Sequence, residues 1–330
     1  MSDNVQAIKQ LLEETRHILA ITHISPDGDA IGSLTAMGLA ARQLGKRVTM
    51  VCDDGSPSRF NYLPLVDRIQ KRYDVNEAYD LIIALDCGDM ARMGQAFAQL
   101  PEPHPPIVNI DHHVTNTRFG DVNVVNSECN STTEILYGLL PKLGVRLDDE
   151  VATSLLTGIV TDTLGFRTVG VNAATFSAAS ALMEAGANLG MITAQALLLK
   201  PHSTLRLWQI GLDNMKLEAE GFLWTSISRK ELRAINHVGT SSGGLVNMLA
   251  NVSEAAMSAV LLEDEDKVHV GFRCRPPFNV AELALNLGGG GHPLAAGCTL
   301  EGSLQEAESL VVSMGREAIR QQRELLKAEH

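Results

Sequence analysis

No Cys-x-x-Cys pair occurs in the chain: its five cysteines, Cys52, Cys87, Cys129, Cys274 and Cys298, are odd in number and scattered, as buried thiols in a reducing compartment would be. Long apolar runs are missing too. Stretches such as residues 81–85 and 256–262 fall far short of the roughly 20 residues a membrane helix needs. The opening Met1-Ser2-Asp3-Asn4 shows no basic region followed by an apolar core, so no secretory leader is expected, and the expected location is cytoplasmic and off the membrane. Basic charge is scarce: 27 Lys and Arg stand against 39 Asp and Glu, a net charge of -12. Long duplex nucleic acid, which needs an extended basic footprint, is therefore a poor partner. A small phosphorylated molecule is not excluded, because bound cations can dominate the local field whatever the overall charge.

What is present suffices for two cores, since 45% of the 330 residues are hydrophobic. The first half alternates apolar runs with helical patterns. Residues 18–22, 48–52, 81–85 and 107–110 read as buried strands, and residues 4–16, 30–44, 132–143, 149–161 and 173–185 as helices. This alternation predicts an α/β fold whose N-terminal domain is a mainly parallel sheet flanked by helices, with ligands at the C-terminal strand ends. Residues 191–220 read as a helical linker interrupted at Pro201. A smaller C-terminal α/β domain follows, with strands at 222–227, 257–262 and 268–273 and helices at 245–251, 280–287 and 306–327; the run Gly288-Gly289-Gly290-Gly291-His292-Pro293 lies between the last two helices as a loop. The expected domains are thus 1–190 and 221–330.

The densest chemistry follows the first strand. In Thr22-His23-Ile24-Ser25-Pro26-Asp27-Gly28-Asp29 one loop carries an imidazole and two carboxylates, ligands that hard or borderline divalent ions take, and Gly28 would let the backbone turn between Asp27 and Asp29. The plainer reading is an Asx-rich turn with Asp29 capping the next helix. Asp86, followed by Cys87-Gly88-Asp89, ends another apolar strand, Asp111-His112-His113 ends a third, and Asp162 ends a helical segment. Any one of these is explicable as a cap. Together, at one sheet edge, they would repel one another at high cost unless cations were bound.

This ordered set, His23-x₃-Asp27-Gly28-Asp29, Asp86, Asp111-His112-His113 and Asp162, resembles the four motifs of the DHH phosphoesterases. The likeness continues through Gly271-Phe272-Arg273, the glycine run with His292-Pro293, and Ala295-Ala296-Gly297, which are similar to the DHH-associated C-terminal domain; it spans about residues 15 to 300. Cys274 stands where that family often has serine, and Leu164 where it often has glycine. The resemblance implies an N-terminal catalytic metal-binding domain, a C-terminal substrate-binding domain and an active site in the cleft between them. It implies two Mn²⁺ per chain, with Mg²⁺ or Co²⁺ as substitutes: His23 and Asp27 on one ion, Asp29, His112 and Asp162 on the other, and Asp86 bridging both. A shared metal-activated water would be the nucleophile. His113 would face the substrate phosphate, Asp111 would orient a histidine, and Arg273, His292 and the backbone of Gly288, Gly289, Gly290 and Gly291 would hold substrate.

The implied function is that of the stand-alone oligoribonucleases and phosphoadenosine-phosphate phosphatases: hydrolysis of very short oligoribonucleotides, of 3′-phosphoadenosine 5′-phosphate, or of both. Two alternatives stay open, a phosphodiesterase for linear or cyclic dinucleotides and a catalytically silent nucleotide-binding regulator. A homodimer is compatible with the same resemblance.

Overall fold

A computed structural model describes residues 2–237 and 239–328. The chain divides into two units, Met1–Leu199 and Lys200–His330. The first contains α1 (Ser2–Glu14), β1 (His17–Thr22), α2 (Gly28–Gln43), β2 (Arg47–Val51), β3 (Leu81–Leu85), α3 (Gly94–Ala98), β4 (Ile107–Asp111), β5 (Val122–Val125), α4 (Thr132–Leu139), α5 (Asp149–Asp162), α6 (Ala173–Glu184) and α7 (Leu189–Thr193). Its five strands are all parallel, in the order β2-β1-β3-β4-β5. Both sheet faces are covered, which is why the central strands read as unbroken apolar runs. Along β1, Ile18 and Ala20 pack into the core shared with α1, α2, α4 and α5, while Leu19 and Ile21 pack into a second core with Tyr73, Met93 and Ala96.

The strand order reverses between β1 and β3, and in open parallel sheets ligands collect outside the carboxyl ends at such a reversal. His23 follows β1, Asp86 follows β3, and His112 follows β4. Helices α2 and α5 then cross closely enough that a Cβ at Gly158 would overlap the Asp29 carboxylate and one at Gly28 would overlap the Thr161 side chain. That contact brings Asp162, the last residue of α5, to the same edge. Helix α4 is shorter than its apolar pattern predicts, because Pro141 offers no N–H to an α ladder and the chain tightens into a 3₁₀ turn over Leu140–Leu143. Beyond α7 one π turn, Ala194–Leu198, ends in extended backbone at Leu199.

The second unit holds α8 (His202–Asp213), β6 (Lys216–Leu217), β7 (Phe222–Ile227), α9 (Arg229–Ala234), α10 (Leu245–Leu249), β8 (Met257–Asp264), β9 (Lys267–Cys274), α11 (Ala281–Asn286), β10 (Gly290–His292), β11 (Ala295–Glu301) and α12 (Leu304–Ala328). Its mixed sheet runs β10-β11-β9-β8-β7-β6, with only the β7–β8 pair parallel. The glycine run is not a free loop. Gly290, Gly291 and His292 form the edge strand β10 on β11, and the lack of side chains is what allows it: a Cβ at Gly289 would overlap the Gly297 carbonyl, and one at Gly291 would lie 2.5 Å from Ala296 Cα. Among the described residues no helix is long and apolar enough to cross a membrane.

Candidate metal centre

Three groups of ligand atoms gather at the switch edge of the first sheet: His23, Asp27 and Asp86; Asp29, His112 and Asp162; and Asp86, His112 and His113. Within each group the ligand atoms lie within 4.8 Å of one another. Asp86 is common to two of them. His23 Nε2 is 3.4 Å from Asp86 Oδ2 and 4.0 Å from Asp27 Oδ1, while His112 Nε2 is 3.3 Å from Asp162 Oδ2, 3.7 Å from Asp86 Oδ1 and 4.0 Å from Asp29 Oδ2. Asp86 itself sits at φ +60°, in the left-handed region that non-glycine residues visit at some cost and that clusters at functional sites.

The backbone around Asp27 departs from expectation. No sharp turn separates Asp27 from Asp29, and Gly28 has no positive φ. Asp27, not Asp29, caps α2, accepting from the N–H groups of Asp29 at 3.0 Å and Ala30 at 3.1 Å. Gly28 is needed instead for the close approach of Thr161. Asp29 is fully buried and accepts from Thr132 N at 2.6 Å, Thr133 N at 2.9 Å and Thr133 Oγ1 at 2.7 Å, so it tethers the start of α4 as well as facing His112.

A shell of hydrogen bonds orients the rest. Thr132 Oγ1 donates to Asp86 Oδ1 at 2.9 Å. Buried Asp111 accepts from the His112 N–H at 2.9 Å and from His113 Nδ1 at 2.7 Å, and its second oxygen accepts from Asn116 Nδ2 at 2.6 Å. Asn116 also donates to Asn109 Oδ1 and to the Cys87 carbonyl. Asn109, Asn116 and Arg92, which lies beside His23, were not legible as site residues; nothing in their local sequence marks them. Leu164, two residues past Asp162, takes φ +50°, a conformation that favours glycine.

The electrostatics are those of a site short of positive charge. Burial, with the fields of Asp86 and Asp162, raises Asp29 well above the carboxylate range. Burial, with Asp27 and Asp86, pushes Asp162 up to about 7. Burial acts against Asp86 too, but His23, His112 and His113 hold it at about 2. Burial would lower His112, yet Asp162, Asp29 and Asp86 drive it up to about 10. Its buried Nε2 nevertheless has no hydrogen-bond partner among the described residues. A buried nitrogen that three carboxylates surround at 3.3 to 4.0 Å without a well-formed hydrogen bond, within an all-oxygen-and-nitrogen ligand set, fits a divalent cation.

Arg273, His292 and residues 288–291 belong to the second unit. Arg273 Nε donates to Asn247 Oδ1 and Nη1 to the Phe272 carbonyl, both at 2.8 Å. His292 and Gly290 are exposed on edge strand β10, and Gly288 takes φ +78°.

Residues 17–159 match the DHH family, N-terminal domain, and residues 235–318 match the DHHA1 domain. A bifunctional oligoribonuclease and PAP phosphatase NrnA of Thermus thermophilus is 33% identical over 304 residues, which is 92% of this chain and 90% of that protein. The chain belongs to the DHH family. Its membership makes it a hydrolase of phosphoester bonds. Among solved structures, this DHH chain is similar to an exopolyphosphatase-related protein from Bacteroides fragilis, at 25% identity and a TM-score of 0.89 over 99% of this chain and 98% of that one. It shares its fold with RecJ from Thermus thermophilus, solved in complex with Mn²⁺, at 15% identity and a TM-score of 0.54 over 96% of this chain and 54% of RecJ. The DHH triplet itself is Asp111-His112-His113.

Proposed function

We propose that this DHH hydrolase is a cytoplasmic two-cation phosphoesterase that uses Mn²⁺ to cleave very short oligoribonucleotides, 3′-phosphoadenosine 5′-phosphate, or both. The observation that carries this reading is a chain of shared ligand groups: Asp86 belongs both to the group with His23 and Asp27 and to the group with His112 and His113, and His112 belongs in turn to the group with Asp29 and Asp162. One carboxylate between two ligand sets suits a pair of cations. Such ions, when bound, lower the pKa of a water they share and offset the charge that develops at phosphorus. The likeness to NrnA supports the substrate class, and the net charge of -12 supports a small substrate over a long polyanion.

The chain's own groups divide the remaining work. Asp111 holds His113 Nδ1 and raises the imidazole's pKa, with Asp86 adding to the effect against burial. In the imidazolium form that these carboxylates favour, His113 would carry an Nε2–H to donate to a phosphate oxygen. Asn116 holds Asp111 in turn. Arg273, His292 and the backbone of Gly288, Gly289, Gly290 and Gly291 bind a further phosphate or nucleoside of the substrate.

The test is one activity panel with Mn²⁺: ribo- and deoxyribonucleotide dimers to pentamers, 3′-phosphoadenosine 5′-phosphate, cyclic dinucleotides and pyrophosphate. Short RNA or the 3′-phosphorylated nucleotide should turn over, and chelation should stop it. Turnover of pyrophosphate alone would contradict the substrate assignment, and binding without turnover would mark a regulator.

A further inference from the structure

Arg92 lies on the 3₁₀ turn Met90–Met93 that follows β3. Its backbone is held at both ends: its N–H donates to Asp89 Oδ1 at 3.0 Å, and its carbonyl accepts from the Ile24 N–H at 2.9 Å. Its guanidinium forms no ion pair among the described residues, although the edge it borders is crowded with carboxylates; its side-chain contact is His23 Nδ1, 3.1 Å from Nη2. The same Nδ1 lies 2.7 Å from the Ile24 carbonyl.

These two contacts require opposite things of one nitrogen. A guanidinium only donates, so a bond from Arg92 needs Nδ1 as an acceptor; a carbonyl only accepts, so the bond to Ile24 needs Nδ1 to carry the proton. For His23 Nε2 to turn a lone pair towards Asp27 and Asp86 and hold a cation with them, the proton must sit on Nδ1. In that tautomer the Ile24 bond stands and Arg92 faces an N–H. Its exposed donors then have no side-chain partner among the described residues, beside the edge that carries His23 and Asp86.

We infer that Arg92 is a substrate-binding residue: with His23 in its ligating form, the guanidinium takes a non-bridging phosphate oxygen of the substrate on the His23–Asp86 side. Its planar fork can take one or two such oxygens, and its backbone is fixed in place by the bonds to Asp89 and Ile24. The inference deepens the proposed function and rests on a phosphoryl group reaching that side of the site.

The test is calorimetric binding of adenosine 5′-monophosphate to Mn²⁺-loaded wild type, Arg92→Ala and Arg92→Lys, with Mn²⁺ affinity titrated separately for each. Nucleotide binding should weaken on the order of ten- to a hundredfold in Arg92→Ala and less in Arg92→Lys, while Mn²⁺ affinity stays within about twofold of wild type. Absence of saturable nucleotide binding by the wild type, equal binding by all three proteins, or a parallel loss of Mn²⁺ affinity would each overturn the inference, the last by showing that Arg92 acts through His23. If Arg92→Ala does not fold, Arg92→Lys decides by the same criteria. Arg92-dependent nucleotide binding in a protein that hydrolyses nothing would leave this inference standing and remove the phosphoesterase reading.

Discussion

The two segments richest in chemistry-bearing residues are built in opposite ways. In the first unit, Asp29, Asp86 and Asp111 are buried and His112 nearly so, and the hydrogen bonds they receive leave one imidazole nitrogen without a well-formed hydrogen bond and several carboxylates facing it together. Such an arrangement is costly for the folded chain alone. In the second unit, residues 288–292 are mostly exposed, Arg273 has partners of its own, and three of the four glycines are accounted for by backbone geometry: Gly288 by its φ, Gly289 and Gly291 by contact with β11. That segment is content without a ligand. The first site should therefore depend on cations for both chemistry and stability, and the second should matter only as far as a substrate is long enough to use it.

The comparison breaks most sharply at Asp86. Asp86→Asn keeps the shape and removes the charge shared by both ligand groups, so kcat/KM on a short oligoribonucleotide should fall at least about a thousandfold, roughly 4 kcal/mol of lost transition-state stabilisation. Near-normal turnover in a folded variant would show that Asp86 is dispensable. On the other side, Arg273→Ala should cost about ten- to a hundredfold in kcat/KM on a nucleotide substrate and leave bis-p-nitrophenyl phosphate almost untouched, since that ester has no second phosphate to extend. Equal losses on the two substrates would mean that Arg273 supports the fold.

Two smaller effects sharpen the contrast. Gly158→Ala should lower stability by about 1–3 kcal/mol, the usual cost of overpacking, and weaken Mn²⁺ binding with it, because the new methyl meets Asp29 and Thr133. Denaturant midpoints and metal titrations on the same samples would check this, and unchanged metal affinity would uncouple the α2–α5 crossing from the site. The sign of the pH dependence follows from protons that cations must displace. His112, pushed up to about 10, and Asp162, pushed up to about 7, both hold protons more tightly in the fold than when free. Mn²⁺ affinity should therefore weaken as pH falls from 8 to 6, by up to about tenfold per pH unit for each proton displaced. Calorimetry in buffers of different ionisation enthalpy would measure those protons; pH-independent affinity would contradict the assignment of His112 and Asp162.

The candidate metal ligands were legible because His23, Asp86 and His112 come directly after or one residue beyond the apolar runs of β1, β3 and β4, Asp162 ends a helix, and Asp27 and Asp29 stand where the chain passes from β1 into α2, so that all of them share an edge. Of the residues that orient them, Asp111 was legible in the same triplet and most others were not. Asn116 reaches Asp111 by a local return of the chain, and the Gly28 and Gly158 requirements arise from a helix crossing that no local pattern encodes. Strand β5 escaped notice because Val122–Val125 is short, half-buried and interrupted by Asn123. Strands β10 and β11 were hidden by their composition. Gly290–His292 and the Ala295-Ala296-Gly297 start of β11 have little intrinsic preference for extended pairing, and it is the ladder offered by β9 that makes them strands.

The central claim is a two-cation site with Asp86 between the ions, and anomalous diffraction at the Mn edge from crystals grown with Mn²⁺ tests it most directly. Two peaks per chain are predicted, one among His23, Asp27 and Asp86 and the other among Asp29, Asp86, His112 and Asp162, with the second or both lost in Asp86→Asn. A single peak away from Asp86, or two peaks that persist unchanged in Asp86→Asn, would contradict it.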